Sequence, residues 1–143
     1  MHIIGSELTA AQLYDVLRLR VDVFVVEQEC AYPELDGRDL LAGTHHLWIE
    51  EQGAIQSYLR LLTEPGRMRI GRVATAAQAR GRGLAAQLMK DALEIVGDTD
   101  SVLDAQTYAQ GFYEKFGYVA EGPEFVEDGI PHVPMRREPA HSG

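Results

Sequence analysis

The sequence has a single cysteine, Cys30, among its 143 residues and lacks any long apolar run. One cysteine cannot form an intrachain disulfide or supply a cysteine-based zinc site, and its scarcity is typical of a reducing, intracellular setting. No apolar stretch approaches the roughly 20 residues that a membrane-spanning helix needs, and the N-terminus does not resemble a signal peptide. We therefore expect a cytoplasmic protein that does not use a membrane as a partner.

Basic residues are also scarce, with 13 Lys and Arg against 22 Asp and Glu and a formal net charge of −9. An acidic surface repels the nucleic-acid backbone, so we expect no nucleic-acid partner and favour a cationic or amine-bearing one. The apolar fraction of 45% and the lack of repeats or low-complexity segments indicate one folded domain of ordinary size. We place that domain at residues 1–138 and expect residues 139–143 to form a flexible C-terminal tail.

Hydrophobic periodicity predicts an α+β fold. A capping box that begins at Thr9 opens a first helix at residues 10–24, in which leucine and valine side chains recur at helical spacing. Turns at Gln52-Gly53 and Pro65-Gly66 separate three strands, which should form an antiparallel meander. A helix joins the third and fourth strands, so these two should be parallel. The predicted strands are residues 46–50, 54–62, 68–75, 101–105, 118–120 and 132–136, and the further helices are residues 83–96 and 109–116.

A loop that contains Arg80, Gly81 and Arg82 connects the third strand to the long helix. Such a loop leaves several backbone N–H groups unpaired at the positive end of a helix dipole. Together with two arginine side chains, these donors suit a phosphate or a pyrophosphate. The loop is therefore the most concentrated binding chemistry in the sequence, and its ligand should carry phosphate.

Two phosphate-binding patterns overlap in this loop. The run Gly81-x-Gly83-x-x-Ala86 fits the dinucleotide-binding pattern, and Asp104 follows at about the distance of a ribose-binding acid. Three features argue against a dinucleotide fold: a helix and three strands precede the pattern, too few residues follow it for a doubly wound sheet, and an antiparallel meander leads into it. We therefore regard NAD binding as the minor alternative.

The other pattern begins one residue earlier, where Arg80-x-x-Gly83-x-Ala85 resembles the pyrophosphate-binding signature of the GNAT family of N-acetyltransferases. A second run, from Gln106 to Tyr118, resembles the family's N-x-x-A-x-x-L/F-Y-x-K-x-G-F element, with Gln106 in place of the usual Asn. The resemblance covers nearly the whole chain. Four further stretches look like the ElaA-type branch of the family, at residues 20–28, 32–37, 70–73 and 125–132.

The resemblance implies a GNAT acyl-CoA N-acyltransferase fold, with a mixed, mostly antiparallel twisted sheet, splayed central parallel strands and flanking helices. It also implies acetyl-CoA as the co-substrate, with the pantetheine arm along the third strand and the pyrophosphate on the loop. The residues that it assigns to acetyl-CoA binding are Val73, Ala74, Thr75, Arg80, Gly81, Arg82, Gly83, Leu84, Ala85, Gln106 and Tyr113.

Acetyl transfer to an amine needs a group that protonates the departing thiolate and a base, or a water chain, that takes the amine proton. The resemblance assigns the acid role to Tyr113. Candidates for the base are His132, His46, Glu27, Asp104 and Glu127. The histidines come first because an imidazole titrates near neutral pH. We expect no metal site, because His45 and His46 point to opposite faces of one strand and cannot both join His132.

These observations predict an acetyl-CoA-dependent N-acetyltransferase that moves an acetyl group directly to a primary amine of a small molecule, peptide or protein. The alternative is a non-catalytic acyl-CoA-binding sensor or interaction module on the same fold, although Tyr113 argues against it. The acidic segments near residues 27–39 and 124–128 either line the acceptor entrance, which would favour a polyamine or a lysine side chain, or carry ordinary solvated charge. An exposed strand edge near the C-terminus would allow a homodimer.

Overall fold

The computed structural model describes residues 1–29 and 33–139. Cys30 and residues 140–143 of the predicted tail lie outside this described part. The strands are β1 (His2–Ile4), β2 (His45–Glu51), β3 (Ala54–Glu64), β4 (Arg67–Thr75), β5 (Asp100–Gln106), β6 (Val119–Ala120), β7 (Phe125–Glu127) and β8 (Ile130–Arg137). The α-helices are α1 (Ala10–Arg20), α2 (Leu84–Val96) and α3 (Gln110–Glu114). A π-helix (Val21–Glu27) continues α1, and 3₁₀ turns occupy Gly5–Glu7, Ala77–Ala79 and Thr107–Ala109.

All of these strands belong to one sheet in the order β1-β2-β3-β4-β5-β8-β6, and β7 also pairs with β8. Neighbouring strands are antiparallel except for β4 and β5, which are parallel and joined through α2. The mixed, mostly antiparallel sheet confirms the predicted fold class, and β2 to β4 form the predicted meander. The sequence patterns missed β1 and β7, because strands of three residues are too short to show alternation.

The first helix begins as predicted but ends in a different geometry. The Thr9 hydroxyl accepts a hydrogen bond from Gln12 N at 3.1 Å, and the Gln12 side chain accepts one from Thr9 N at 3.0 Å, which confirms the capping box. α1 ends at Arg20, and π-helical turns replace the rest of the predicted α-helix. Four valines in this segment disfavour an α-helix, because branched side chains crowd the preceding turn. π-helical turns are frequent at functional sites.

Helices cover both faces of the sheet. On the α2 face the buried core consists of Leu47, Leu59, Leu61, Met68, Ile70, Leu88, Met89, Ala92, Val96, Leu103, Ala105, Tyr118, Val133 and Met135. On the α1 face it consists of Val16, Leu19, Val23, Trp48, Ile55, Tyr58, Ala74, Ala76 and Ala79. Tyr58 and its neighbour Leu59 belong to different clusters, because successive side chains of a strand point to opposite faces.

β4 and β5 separate soon after they pair. The parallel ladder joins Arg67–Arg69 to Asp100–Val102, and both strands then continue without pairing to each other. A β-bulge bends β4 at the same place, because Arg72 and Val73 together oppose one residue of β3, and Arg72 has a positive φ of 52°. Bulges re-aim a strand and disrupt its ladder locally. This opening agrees with the predicted splayed strands and positions the candidate site.

Candidate active site

A cleft of about 710 Å³ occupies the opening between β4 and β5. Its wall combines the bulged part of β4, the part of β5 that no longer pairs with β4, the π-helix, the β7–β8 hairpin, and α3 with the 3₁₀ turn before it. The principal lining residues are Phe24, Gln28, Ile70, Gly71, Arg72, Val73, Leu103, Asp104, Gln106, Tyr108, Tyr113, Glu127, Ile130 and His132. The cleft therefore exists because two adjacent parallel strands stop pairing while both remain extended.

Several of the predicted site residues meet in this cleft. Val73, Gln106, Tyr113 and His132 come from β4, β5, α3 and β8, and all of them line it. Gln106 and His132 are direct cross-strand neighbours in the β5–β8 register. Glu127 lines the cleft from the hairpin that ends in β8. The fold thus gathers groups that are far apart in the sequence.

The other two predicted residues of β4 lie beyond the cleft lining. Ala74 is buried and pairs with Tyr58 of β3, and Thr75 pairs with Ser57, whose hydroxyl lies 2.9 Å from that of Thr75. These contacts fix the β3 side of the strand. On its other side, the described part of β4 beyond Arg69 does not pair with β5, so this edge can accept an extended ligand.

Tyr113 lies on α3 among other aromatic rings. Its ring meets Phe112 edge to face with 5.1 Å between centroids and meets Tyr118 with 6.4 Å. Tyr118 is held by a 2.6 Å hydrogen bond between its hydroxyl and that of Ser101. Burial raises the pKa of Tyr113 above its ordinary value, with further contributions from Tyr108 and Tyr118. A phenol with its ordinary pKa of about 10 is already protonated at neutral pH, and this shift favours the protonated form further.

His132 has one ring nitrogen fixed by the main chain. Nδ1 lies 2.7 Å from the carbonyl oxygen of Ile130, and a carbonyl can only accept, so Nδ1 carries the hydrogen. In the neutral ring Nε2 then holds the lone pair that can take a proton. The imidazole also stacks on Phe125, with 5.6 Å between centroids and 19° between planes. His132 is thus held in the tautomer that a base requires.

His46 does not reach the cleft, so its position does not fit the base role predicted for it. The residue is fully buried, with its ring nitrogens 2.6 Å from the Tyr58 hydroxyl and 2.8 Å from the Asp39 carbonyl oxygen. Burial lowers the pKa of His46 more than the neighbouring Asp39 raises it. Nε2 donates to the carbonyl and Nδ1 accepts from Tyr58, so both nitrogens are engaged. We therefore leave His46 out of the proposed mechanism.

Glu27 lies on the surface at the end of the π-helix and also does not line the cleft. Its carboxylate accepts a hydrogen bond from Arg80, whose Nε donates to the Thr75 carbonyl oxygen at 3.1 Å. Arg82 donates to both carboxylate oxygens of Glu51, at 2.8 and 2.6 Å. These hydrogen bonds lower the pKa of Glu27 and of Glu51. Both arginines of the loop are thus held by surface carboxylates.

The backbone of the loop has the geometry of an anion site. Gly81 and Gly83 have positive φ angles of 82° and 77°, a region that favours glycine, and Gly83 is the N-cap of α2. Gly83 has no side chain to cap the helix, so the first amides of α2, at Leu84, Ala85 and Ala86, need partners from outside the helix. These N–H groups lie at the positive end of the helix dipole and suit a phosphate.

A pair of glutamines joins two walls of the cleft. The side-chain amides of Gln28 and Gln106 donate to each other, and both hydrogen bonds are 3.3 Å long. Gln28 directly follows the π-helix, and Gln106 ends β5. Sequence reasoning did not select Gln28, because a single glutamine after a helix carries no distinctive signal. The pair orients the amide of Gln106, which is one of the predicted donor-binding groups.

A buried network of charges, also not predicted, supports the bulge of β4. Arg20 is fully buried, and its Nε and Nη1 donate to Glu34 at 2.5 Å and to Asp39 at 2.6 Å. Glu34 also accepts a hydrogen bond from Arg72 Nε at 3.0 Å. The network therefore connects α1 to the residue of β4 that has a positive φ. No local spacing in the sequence indicates these pairs, because they join separate elements.

Carboxylates that were expected near an acceptor entrance are paired with arginines. Asp36 accepts hydrogen bonds from Arg60 at 3.0 and 2.7 Å. Burial would raise the pKa of Asp36, but the hydrogen bonds and charge of Arg60, together with Arg72, lower it to about 2. Asp104, which was predicted as a candidate base and not as part of the entrance, likewise accepts a hydrogen bond from Arg69 at 3.3 Å. This side of the cleft is therefore a charge-balanced surface rather than a strongly acidic one.

Two further features concern membranes and metals. Within the described ranges, no helix is both long and apolar enough to cross a membrane. No group of three or more His, Cys, Asp or Glu side chains among the described residues is arranged to hold a metal ion. His46 lies in the core beneath the 33–43 segment, whereas His132 lies in the cleft, so these two do not share a site.

Comparisons with known proteins agree with this geometry. Residues 16–139 match a family model described as an acetyltransferase (GNAT) domain. A UPF0039 protein of Mycobacterium tuberculosis is 51% identical over 138 residues, which cover 93% of this chain and 88% of the relative. The structure of an acyl-CoA N-acyltransferase from Pseudomonas aeruginosa has a TM-score of 0.91 and 44% identity, covering 96% of this chain and 97% of that chain. Escherichia coli ElaA has a TM-score of 0.92 and 37% identity, covering 96% and 98%. The chain therefore belongs to the GNAT acetyltransferase family and, within it, to the ElaA-like branch.

Proposed function

We propose that this protein is an acetyl-CoA-dependent N-acetyltransferase that transfers an acetyl group directly to a primary amine. One observation carries the proposal: the separation of β4 and β5 brings Val73, Tyr113 and His132 into a single cleft. β4 itself leads into the loop that contains Arg80, Gly81 and Arg82, here called the glycine–arginine loop. Family membership and the similarity to an acyl-CoA N-acyltransferase support acyl transfer as the type of reaction. That the donor is acetyl-CoA and that the acceptor is a primary amine are proposed in addition to acyl transfer.

The donor would bind along the open edge of β4 and end at the loop. The pantetheine arm would pair with the backbone there as an added strand does. The pyrophosphate would accept hydrogen bonds from the first amides of α2 and from the two arginines. The residues proposed for donor binding are Val73, Ala74, Thr75, Arg80, Gly81, Arg82, Gly83, Leu84, Ala85, Gln106 and Tyr113.

In the proposed reaction the neutral amine attacks the thioester carbon, so that a C–N bond forms and the C–S bond breaks. His132 Nε2 takes the proton that the amine loses. A backbone N–H on the open edge of β4 donates to the carbonyl oxygen as negative charge develops there, a contact typically worth about 3 kcal/mol. Tyr113 donates its phenolic proton to the departing thiolate. Proton exchange with solvent then returns both side chains to their starting states.

The charges of the cleft favour an acceptor with a single amine over a polyamine. A polyamine needs several carboxylates whose charge is not already compensated, whereas Asp36 and Asp104 are paired with Arg60 and Arg69. One ammonium group requires only one such partner, and Glu127 lines the same cleft as the proposed base. The cytoplasmic location and a homodimeric state stay predictions from the sequence.

Two measurements test this proposal. Calorimetric titration should detect binding of acetyl-CoA and no comparable binding of NAD, and tight NAD binding without coenzyme A binding would overturn it. A panel of small amines, amino acids and peptides should then be tested for release of free coenzyme A thiol from acetyl-CoA. We expect amine-dependent release. Binding of acetyl-CoA without turnover on any amine of a broad panel would favour the non-catalytic sensor.

A further inference from the structure

Each arginine of the glycine–arginine loop is held by a carboxylate from another element. Arg80 contacts Glu27 at the end of the π-helix, and Arg82 contacts Glu51 at the end of β2. Both pairs are solvent-exposed, with side-chain exposures between 40% and 49%. Two independent elements therefore present negative charge to the same loop.

These contacts use the donors that a pyrophosphate would need. Arg82 directs Nη1 and Nη2 to the two oxygens of Glu51, which is the bidentate arrangement that a phosphate group also adopts with arginine. Arg80 uses Nε for the Thr75 carbonyl oxygen and Nη2 for Glu27. A phosphate group that binds Arg82 through this bidentate edge, or Arg80 through the same Nη2–H, must therefore displace a carboxylate.

We propose that Glu27 and Glu51 set the affinity for the donor, because they compete with its pyrophosphate for Arg80 and Arg82. The inference rests on the proposed binding of acyl-CoA and adds the residues that oppose it. It also gives Glu27 a role other than the base predicted from sequence. Exposed ion pairs are weak, so each carboxylate should lower donor affinity by only about two- to fivefold.

The direction in which donor affinity changes when a carboxylate is replaced distinguishes competition from a supporting role. If Glu27 only oriented Arg80 for the ligand, replacing its carboxylate would weaken binding of the donor. If Glu27 competes, the same replacement strengthens binding, because the arginine no longer has to leave a charged partner. The same reasoning applies to Glu51 and Arg82. The two pairs share no residue, so their effects should multiply.

The test is calorimetric titration of coenzyme A into the wild type, Glu27→Gln, Glu51→Gln and the double variant at one fixed ionic strength. We expect about two- to fivefold tighter binding for each single variant and about four- to 25-fold for the double variant. Asp22→Asn is the matched control, because Asp22 is an exposed carboxylate on the same π-helix. Pantetheine, which has no phosphate, should bind equally to the wild type and the double variant.

Several outcomes would overturn the inference. Unchanged or weaker coenzyme A binding by both single variants, with normal binding by the wild type, would reject competition and leave the proposed function intact. If Asp22→Asn increased coenzyme A affinity as much as Glu27→Gln does, the effect would be one of net charge. If the double variant also bound pantetheine more tightly by the same factor, the effect would lie in the pantetheine arm and not in the pyrophosphate. In an Arg80→Ala background Glu27→Gln should leave coenzyme A affinity unchanged, because the arginine for which Glu27 competes is absent. Failure of the wild type to bind coenzyme A would reject the proposed function and this inference together.

Discussion

Replacing Arg20 by Met should lower the free energy of unfolding by about 3–5 kcal/mol, the usual result of removing one partner from a buried ion pair. The guanidinium is fully buried and bonds Glu34 at 2.5 Å and Asp39 at 2.6 Å. Met occupies a similar volume, so the loss is mainly electrostatic. Arg72 and Arg60 still contact Glu34 and Asp39 and limit the loss. Of these two arginines only Arg72 is substantially exposed, at 23% against 4% for Arg60.

Thermal and urea unfolding measure this change. A chain of 143 residues has an unfolding entropy of about 0.3 kcal/mol/K near 60 °C, so the Tm should fall by about 10–17 °C. Arg18→Ala, on the same helix but exposed, is the control and should change the unfolding free energy by less than about 0.5 kcal/mol. Arg20→Lys should lie between the two, because an ammonium group lacks the planar fork that holds both carboxylates. A loss under about 1 kcal/mol for Arg20→Met would refute the importance given to this network.

Three further predictions concern the cleft and pH. Tyr113→Phe removes the phenolic proton but keeps the ring packed against Phe112. Turnover with an accepted amine should therefore fall about 10²-fold or more in steady-state assays, while the calorimetric affinity for the donor stays constant. Unchanged turnover would remove Tyr113 from the acid role. His132→Gln should lower kcat/KM about 10²-fold or more in the same assays, and an unchanged kcat/KM would remove His132 from the base role. As the pH is lowered, the free energy of unfolding measured with urea should fall in two steps. The first begins below about pH 6.5, because burial lowers the folded-state pKa of His46 and of His45 below the unfolded value of 6.5, and protonation therefore favours unfolding. The second lies between pH 3.8 and about 2, as Asp36 loses its bonds to Arg60. His46→Gln should reduce the first step, to which His45 also contributes, and leave the second step unchanged.

The features that could be predicted from sequence depend on residues close together in the chain. The capping box at Thr9, the meander of β2 to β4 and the helix α2 follow from periodicity and turn residues, and the structure has all of them. The family resemblance directed attention to Tyr113, the chemistry of imidazole directed it to His132, and the structure brings both to one cleft. Their catalytic roles stay predictions.

The features that could not be predicted depend on contacts between distant segments. The strand position of His46 does not show that Asp39 and Tyr58 will enclose it. The pairing of Arg20 with Glu34, and of Arg80 with Glu27, likewise joins separate elements without any spacing that a local pattern could reveal. The π-helix escaped prediction because five of its seven residues are apolar, and a nearly continuous apolar run does not distinguish one helical period from another.

Calorimetric titration of acetyl-CoA into the wild type and into Arg80→Ala/Arg82→Ala tests most directly whether the opening between β4 and β5, with its loop, is an acyl-CoA site. Lys90→Ala, an exposed change on α2, controls for lost positive charge. We predict saturable binding by the wild type and by Lys90→Ala, and at least about tenfold weaker binding by the double variant, because two charge-assisted contacts to pyrophosphate are lost. No binding by the wild type, or equal binding by the double variant, would contradict the account.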